Sequence, residues 1–344
     1  MFAHCVEPHL KKELIKLVKF IFASDIHITN KAPKARLDDY VKSQYRKLSY
    51  LFKYSAEKGV DAILFAGDVF DTPFVPNKTI KSYIELINNT KDPSCLLCCI
   101  YGQHDLVYHS LANIENTPLA VLLAGTGGIQ LGKTPVILKD EVALYGLSWD
   151  EPYPKIEGTD KLVNVLLAHL TVVADKELFP GQKNFVIAKR LLYNTPFDIL
   201  VTGDNHQRFI SEFNGKYLFN NGSIMRMNIS QRDFRPSFTY VEVDNKSVKY
   251  ELVYFPIKDN VFKETVLSKV GVLKTEADED NDVVEDSASQ IESFFENLAK
   301  SKEMKSFDFL SILKQSLEGA DKDTAVWVNK IVDTYSENKS EVRG

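Results

Sequence analysis

The sequence predicts an α/β fold, and three observations carry that prediction. Short apolar runs alternate with segments of helical period over the first hundred residues. Each of those apolar runs stops at a polar cluster, the place where open α/β sheets collect their ligand sites. Beyond residue 130 the chain turns to closely spaced strands joined by hairpin signals.

Taken in order, Lys19–Ser24 reads as a buried strand ending at Asp25. Asp39–Lys58 follows with Tyr40, Val41, Tyr45, Leu48, Leu51, Phe52 and Ala56 on one helical face, and Gly59 stands where a helix C-cap needs positive φ. Asp61–Ala66 is the next strand and stops at Gly67-Asp68. A second helix fits Pro76–Thr90, with proline near its first turn. Strand Cys95–Tyr101 stops at Gly102-Gln103-His104-Asp105.

Val136–Lys139 and Val142–Leu147 read as short antiparallel strands, and Leu162–Ala168 as a buried strand ending at His169. Phe185–Tyr193 reads as a helix, and Phe197–Thr202 as a strand ending in Gly203-Asp204-Asn205-His206. Arg208–Phe213 and Lys216–Phe219 flank Asn214-Gly215, a strong hairpin signal. Ser237–Val243 and Val248–Phe255 form a further hairpin across Asp244-Asn245-Lys246.

At ~100–200 residues per domain, a chain of 344 residues holds two domains or one large domain with an appendage. Hydrophobic residues at 44% and charged residues at 26% exclude a wholly disordered chain, a collagen-like fibre and a small disulfide scaffold. No apolar run approaches the ~18 residues of a membrane span, and the lysine-rich start lacks a signal peptide's apolar core. These features predict a cytoplasmic protein without a membrane partner. Residues 1–274 carry 34 Lys+Arg against 30 Asp+Glu, whereas residues 275–344 carry 8 against 17. The larger part is mildly basic, which permits a nucleic-acid substrate without demanding one. Cys95, Cys98 and Cys99 lie in one apolar run without a second Cys-x-x-Cys pair, so they read as reduced residues of a buried strand.

Five polar clusters stand at strand ends: Ser24-Asp25-Ile26-His27, Gly67-Asp68-Val69-Phe70-Asp71, Gly102-Gln103-His104-Asp105, Ala168-His169 and Gly203-Asp204-Asn205-His206. Four of the seven histidines sit in them. One such histidine alone reads as a capped or surface residue. Five clusters at one sheet edge are instead what a two-metal site needs, with a bridging carboxylate, imidazoles and amide oxygens. Such ions polarise a phosphoryl group and lower the pKa of a bound water.

The order Asp-x-His, Gly-Asp, Gly-Asn-His-Asp, His, Gly-His-x-His resembles that of the calcineurin-like metallophosphoesterases. Within them, Ser24-Asp25-Ile26-His27, Gly67–Asp71, Asn221-Gly-Ser-Ile-Met-Arg226 and Gln231–Phe238 look like the SbcD-type DNA repair exonucleases. The resemblance covers residues 19–255 and implies a four-layer α/β/β/α sandwich with a small C-terminal helical appendage. It implies that Asp25, His27 and His206 bind a first metal, that Asp68 bridges, and that Gln103, His169 and Asp204 stand at the second. His104 is placed like the family's non-ligand histidine at the leaving oxygen, and Asp105 is expected to orient it by accepting its other N–H. Two departures fall on the second metal, Gln103 for asparagine and Asp204 for histidine. Three carboxylates then favour Mn²⁺, with Mg²⁺ also suitable.

The implied activity is metal-dependent hydrolysis of DNA phosphodiesters, as exonuclease or endonuclease, in repair or recombination. The rivals are a phosphatase or small-molecule phosphodiesterase on the same fold, and a catalytically silent scaffold. The implied partners are DNA and an SbcC-like SMC-type ATPase, with a homodimer inside a heterotetramer, in a bacterial or infected host cell. No Gly-x-x-x-x-Gly-Lys-Ser/Thr loop supplies that ATPase within this sequence. Arg226, Arg232 and Arg235 are candidates for DNA phosphates, Tyr108 and His109 for other substrate contacts, and Trp149 for packing. The expected organisation is an extension (1–18), the nuclease domain (19–255), a capping remnant with an acidic linker (256–290) and a helical partner-binding module (291–336).

Overall fold

The computed structural model describes residues 17–153, 161–178, 182–258 and 261–262. Nearly all of the extension, most of the 256–290 segment and the helices expected in 291–336 lie outside these residues.

The chain opens with β1 (Val18–Ala23), α1 (Tyr40–Lys58), β2 (Ala62–Ala66), α2 (Asn77–Thr90) and β3 (Leu96–Ile100). Three 3₁₀ turns then lead to α3 (Pro118–Thr126) and β4 (Ile129–Gln130). Next come β5 (Val136–Leu138), β6 (Val142–Leu147), β7 (Val163–His169), β8 (Val172–Val173), β9 (Val186–Ile187) and α4 (Ala188–Asn194). Five strands complete the described part: β10 (Ile199–Gly203), β11 (Phe209–Phe213), β12 (Lys216–Asn220), β13 (Ser237–Asp244) and β14 (Ser247–Tyr254).

One six-stranded sheet has the order β14-β13-β1-β2-β3-β4, and a second has β11-β12-β10-β7-β6-β5. The central neighbours are parallel in both: β1 with β2 and β2 with β3, then β6 with β7 and β7 with β10. Period-2 alternation assigns each strand's two faces. Phe20 and Phe22 of β1 meet Leu144, Val165, Leu167 and Phe219 between the sheets. Ile21 and Ala23 point the other way, into a core with Leu48, Leu51 and Phe52 of α1 and Leu86 of α2. On the far side, Ala188 and Leu192 of α4 cover Leu166, Leu200 and Leu218. The layers are therefore helix, sheet, sheet, helix, as expected. The three cysteines of the β3 run are buried free thiols.

Local signals explain the element ends. Asp39 caps α1 by accepting from the Lys42 N–H, and Gly59 closes it in the left-handed region. Asn214-Gly215 and Asn245-Lys246 take positive φ in their hairpins, as such turns require. Two segments differ from the sequence reading. Val186–Ile187 pairs with Val172–Val173 as a short parallel ladder, so the helix begins only at Ala188. Leu119–Ala124, to which the sequence reading assigns no element, lies in α3 with Thr117 as N-cap, Pro118 at its start and Gly127 after its end. Among the described residues no helix is long and apolar enough to cross a membrane.

One buried charge on α1 is testable. Lys47 Nζ donates to the Ile224 carbonyl at 2.6 Å. Burial, reinforced by the Arg36 and Arg226 guanidiniums, lowers its pKa to about 7. The unfolded chain keeps that proton up to ~10.4, so between these values it binds more protons than the native state, and stability rises with pH. The melting temperature of the wild type should therefore rise relative to that of Lys47→Met between about pH 6 and about pH 9. A pH-independent difference contradicts this.

Candidate metal centre

The centre is built where β1, β2, β3, β7 and β10 end. After β1, Asp25 and His27 both take φ of 50°, and Asp68 after β2 takes 47°. Asp204 after β10 has φ of 79°. Left-handed backbone costs a non-glycine residue ~1–2 kcal/mol, and such strain concentrates at functional sites. The turns are held by pairing between loops: His27 N–H donates to the Asp68 carbonyl (2.9 Å) and Ile28 N–H to the Val69 carbonyl (2.8 Å). Buried Gln44 of α1 clamps the first loop, donating to the Ile26 and His27 carbonyls and accepting from the Thr29 N–H. Gly67 and Gly102 are required by close approach. A Cβ on Gly67 would strike the His169 ring, and one on Gly102 the Asp68 carboxylate.

The side chains converge as three overlapping groups, Asp25–His27–His206, Asp25–Asp68–His169 and His27–Asp71–His104. His27 Nε2 lies 3.1 Å from His206 Nε2, and His206 Nε2 lies 3.7 Å from Asp25 Oδ1. Asp68 Oδ2 stands between the groups, 3.4 Å from His169 Nε2 and 3.9 Å from His27 Nε2. His169 Nδ1 donates to the Ala66 carbonyl at 2.8 Å, which turns Nε2 toward Asp68. His27 Nδ1 faces the Asp71 carboxylate at 3.4 Å.

Five buried atoms of this cluster have no hydrogen-bond partner: Asp25 Oδ2, His27 Nδ1, Asp68 Oδ2, Gln103 Oε1 and His169 Nε2. An unmet buried polar atom costs ~1–3 kcal/mol, more when charged, so their concentration in one place needs a compensating ligand. A carboxylate, imidazole and amide donor set suits a divalent cation. The electrostatics agree. Burial works to raise the Asp68 pKa, but the His169 imidazole overrides it and holds the carboxyl well below its usual range. Burial likewise works to lower His169, yet the Asp68 charge lifts it to about 10. A cation entering here replaces that proton as the counter-charge.

Asp25, His27, Asp68, His169 and His206 thus stand close together at the strand ends. Asp204 and Gln103 bond to each other, Gln103 Nε2 donating to Asp204 Oδ1 at 2.7 Å. His104 is exposed beside the cluster, its ring 5.0 Å from that of His27. Its N–H donates to Asp68 Oδ1 (2.9 Å), and its Nδ1 meets the Asp71 carbonyl (3.0 Å). The expected role of Asp105 is corrected. Its buried carboxylate accepts from the Val69, Phe70 and Gly102 N–H groups at 3.2, 2.8 and 3.0 Å, so it braces two loops, and the Asp71 carbonyl orients His104. Asp71 was visible in the sequence only as a carboxylate three residues after Asp68, without a role. Arg226 is likewise no surface contact: it is buried, donating to the Arg232 and Lys258 carbonyls. Trp149 packs edge-on to His169.

The family model described as Metallophos, calcineurin-like phosphoesterase, matches residues 18–208. The DNA double-strand break repair protein Mre11 of Aeropyrum pernix is 27% identical over 87 residues, covering 25% of this chain and 21% of that protein. The chain therefore matches about a fifth of that relative's length. Among solved structures, the Thermus thermophilus protein TT1561 is 9% identical with a TM-score of 0.41, covering 69% of this chain and 99% of that one. A structure described as a novel archaeal phosphodiesterase is 14% identical with a TM-score of 0.36, covering 69% and 100%.

A ligand that binds only the folded state stabilises it by about 2.7 kcal/mol at a hundredfold excess over Kd. Mn²⁺ should therefore raise the melting temperature of the wild type, with little rise for Asp68→Ala. Equal shifts in both proteins count against the assignment.

Proposed function

The chain belongs to the calcineurin-like phosphoesterases, and on that footing we propose that it is a metal-dependent DNA nuclease that hydrolyses phosphodiester bonds. The observation that carries the reading is the convergence of buried, partnerless ligand atoms from Asp25, Asp68, Gln103 and His169 beside the imidazoles of His27 and His104. DNA as substrate is supported by the SbcD-like motifs and by the local similarity to a DNA double-strand break repair protein. Two divalent ions, Mn²⁺ foremost, would be held by Asp25, His27 and His206 on one side and by His169 and Gln103 on the other, with Asp68 shared. Bound there, they supply Lewis-acid activation of the phosphoryl group and of the attacking water.

The protein's own groups do the rest. The Asp71 carbonyl holds His104 through Nδ1, so Nε2 is left to face a substrate and deliver a proton to the departing oxygen. The Asp71 carboxylate backs His27, as outer carboxylates do for metal-binding imidazoles. Asp105 keeps the β2 and β3 loops at fixed spacing. An SMC-type ATPase partner and a homodimer within a heterotetramer complete the proposal.

The test is a Mn²⁺-dependent assay on end-labelled duplex DNA, with a soluble phosphomonoester in parallel. Release of nucleotides is the expected result, and turnover of the monoester alone overturns the DNA reading. His104→Ala should keep the Mn²⁺-induced thermal shift while turnover falls ~10²–10⁴-fold. Asp105→Ala should instead lower thermal stability, because three buried N–H groups lose their acceptor at ~1–3 kcal/mol each. A stable Asp105→Ala protein contradicts the bracing role.

A further inference from the structure

Asp204 joins none of the three converging groups. Both of its oxygens are engaged elsewhere. Oδ1 accepts from Gln103 Nε2 at 2.7 Å, and Oδ2 accepts from the Thr171 hydroxyl. Its backbone N–H donates to Asp25 Oδ1 at 2.9 Å. An ionised carboxylate only accepts, so the Gln103 amide must turn its NH₂ toward Asp204. That choice fixes the other end of the amide. Gln103 Oε1 is left buried without a hydrogen-bond partner, in the same condition as the ligand atoms of Asp25, Asp68 and His169. The neighbouring backbone is pinned as well, since Gly102 N–H donates to Asp105 and His104 N–H to Asp68.

We infer that Asp204 is a positioning residue rather than a metal ligand: with Thr171 it aims the Gln103 carbonyl at the second cation. The inference rests on the proposed two-cation site and specifies how its second half is built. The two departures from the family pattern then form one device. Glutamine's extra methylene lets its amide reach residue 204, and a carboxylate there can accept from an amide and a hydroxyl at once, which an imidazole cannot. Thr171 becomes a functional residue that no motif marked. The second cation receives a neutral amide oxygen, and the charge of Asp204 acts on it only from behind.

The experiment is calorimetric titration of Mn²⁺ into the 344-residue chain, with melting curves recorded without metal. The wild type should take up two ions. In Gln103→Glu two carboxylates face each other with no proton between them, and the second affinity should fall ~10–100-fold, the usual weight of an outer-shell contact. Asp204→Asn keeps an acceptor for the Gln103 amide and can turn its NH₂ to the Thr171 hydroxyl, which also accepts, so it should lose less than Gln103→Glu. The double variant restores the pair with reversed polarity: the amide nitrogen of the new asparagine would donate to the new glutamate, while its oxygen accepts from Thr171. Its second affinity should return to the wild-type level. Thr171→Val, which alters neither residue, should weaken the second site in the same direction. Tighter binding by Gln103→Glu, no recovery in the double variant, or an unchanged second site in Thr171→Val would overturn the inference while leaving the two-cation site intact. Uptake of fewer than two ions by the wild type would overturn both.

Discussion

Asp68 is buried at the junction of two sheets, and a carboxylate cannot stay ionised there unless positive charge reaches it. Its Oδ1 is satisfied by the His104 N–H, but Oδ2 has no hydrogen-bond partner and faces the His169 and His27 imidazoles. The surrounding structure follows from this constraint. His169 is held by the Ala66 carbonyl so that its Nε2 faces Asp68, and glycine is required at 67 and 102 because no Cβ fits beside these groups. The proton that His169 takes up in the absence of metal marks the place where a cation belongs.

The scaffold makes that crowding possible. Parallel strands β1, β2 and β3 end at one edge, and β7 and β10 of the second sheet deliver His169 and the 204–206 loop to the same edge. Strained turns at Asp25, His27, Asp68 and Asp204 point the side chains inward, and that strain is opposed by a buried hydrogen-bonded frame. The Asn221–Arg226 segment belongs to this frame. Asn221 Nδ2 donates to the Phe22 carbonyl, Ile224 N–H to the Asp25 carbonyl, and Lys47 holds the Ile224 carbonyl. A motif that resembles part of a nuclease signature therefore acts here by bracing the end of β1.

Much of this was legible in the sequence because each strand advertises itself twice, by an apolar run and by the polar cluster that ends it. The Asn214-Gly215 hairpin and the Asp39 and Gly59 caps were readable from local turn chemistry alone. α3 was not, because its apolar residues surround the helix instead of lining one face. Val186–Ile187 was misread as helix because its strand character depends on a partner at Val172–Val173. In the centre, residue types picked out side chains that converge, but spacing could not show which acceptor each donor would choose. Asp105 was expected from the resemblance to orient His104, whereas it accepts from backbone 35 and 36 residues away in sequence as well as from Gly102. The bond between Gln103 and Asp204 joins residues 101 positions apart, and only the fold reveals it.

Anomalous diffraction at the manganese edge, from crystals of the protein soaked in Mn²⁺, measures the centre most directly. Two peaks are predicted, both in contact with Asp68, one reached by His27 and His206 and the other by His169 and Gln103. No peak at Asp68, or a single peak that leaves His169 and Gln103 without a cation, would contradict the two-cation centre.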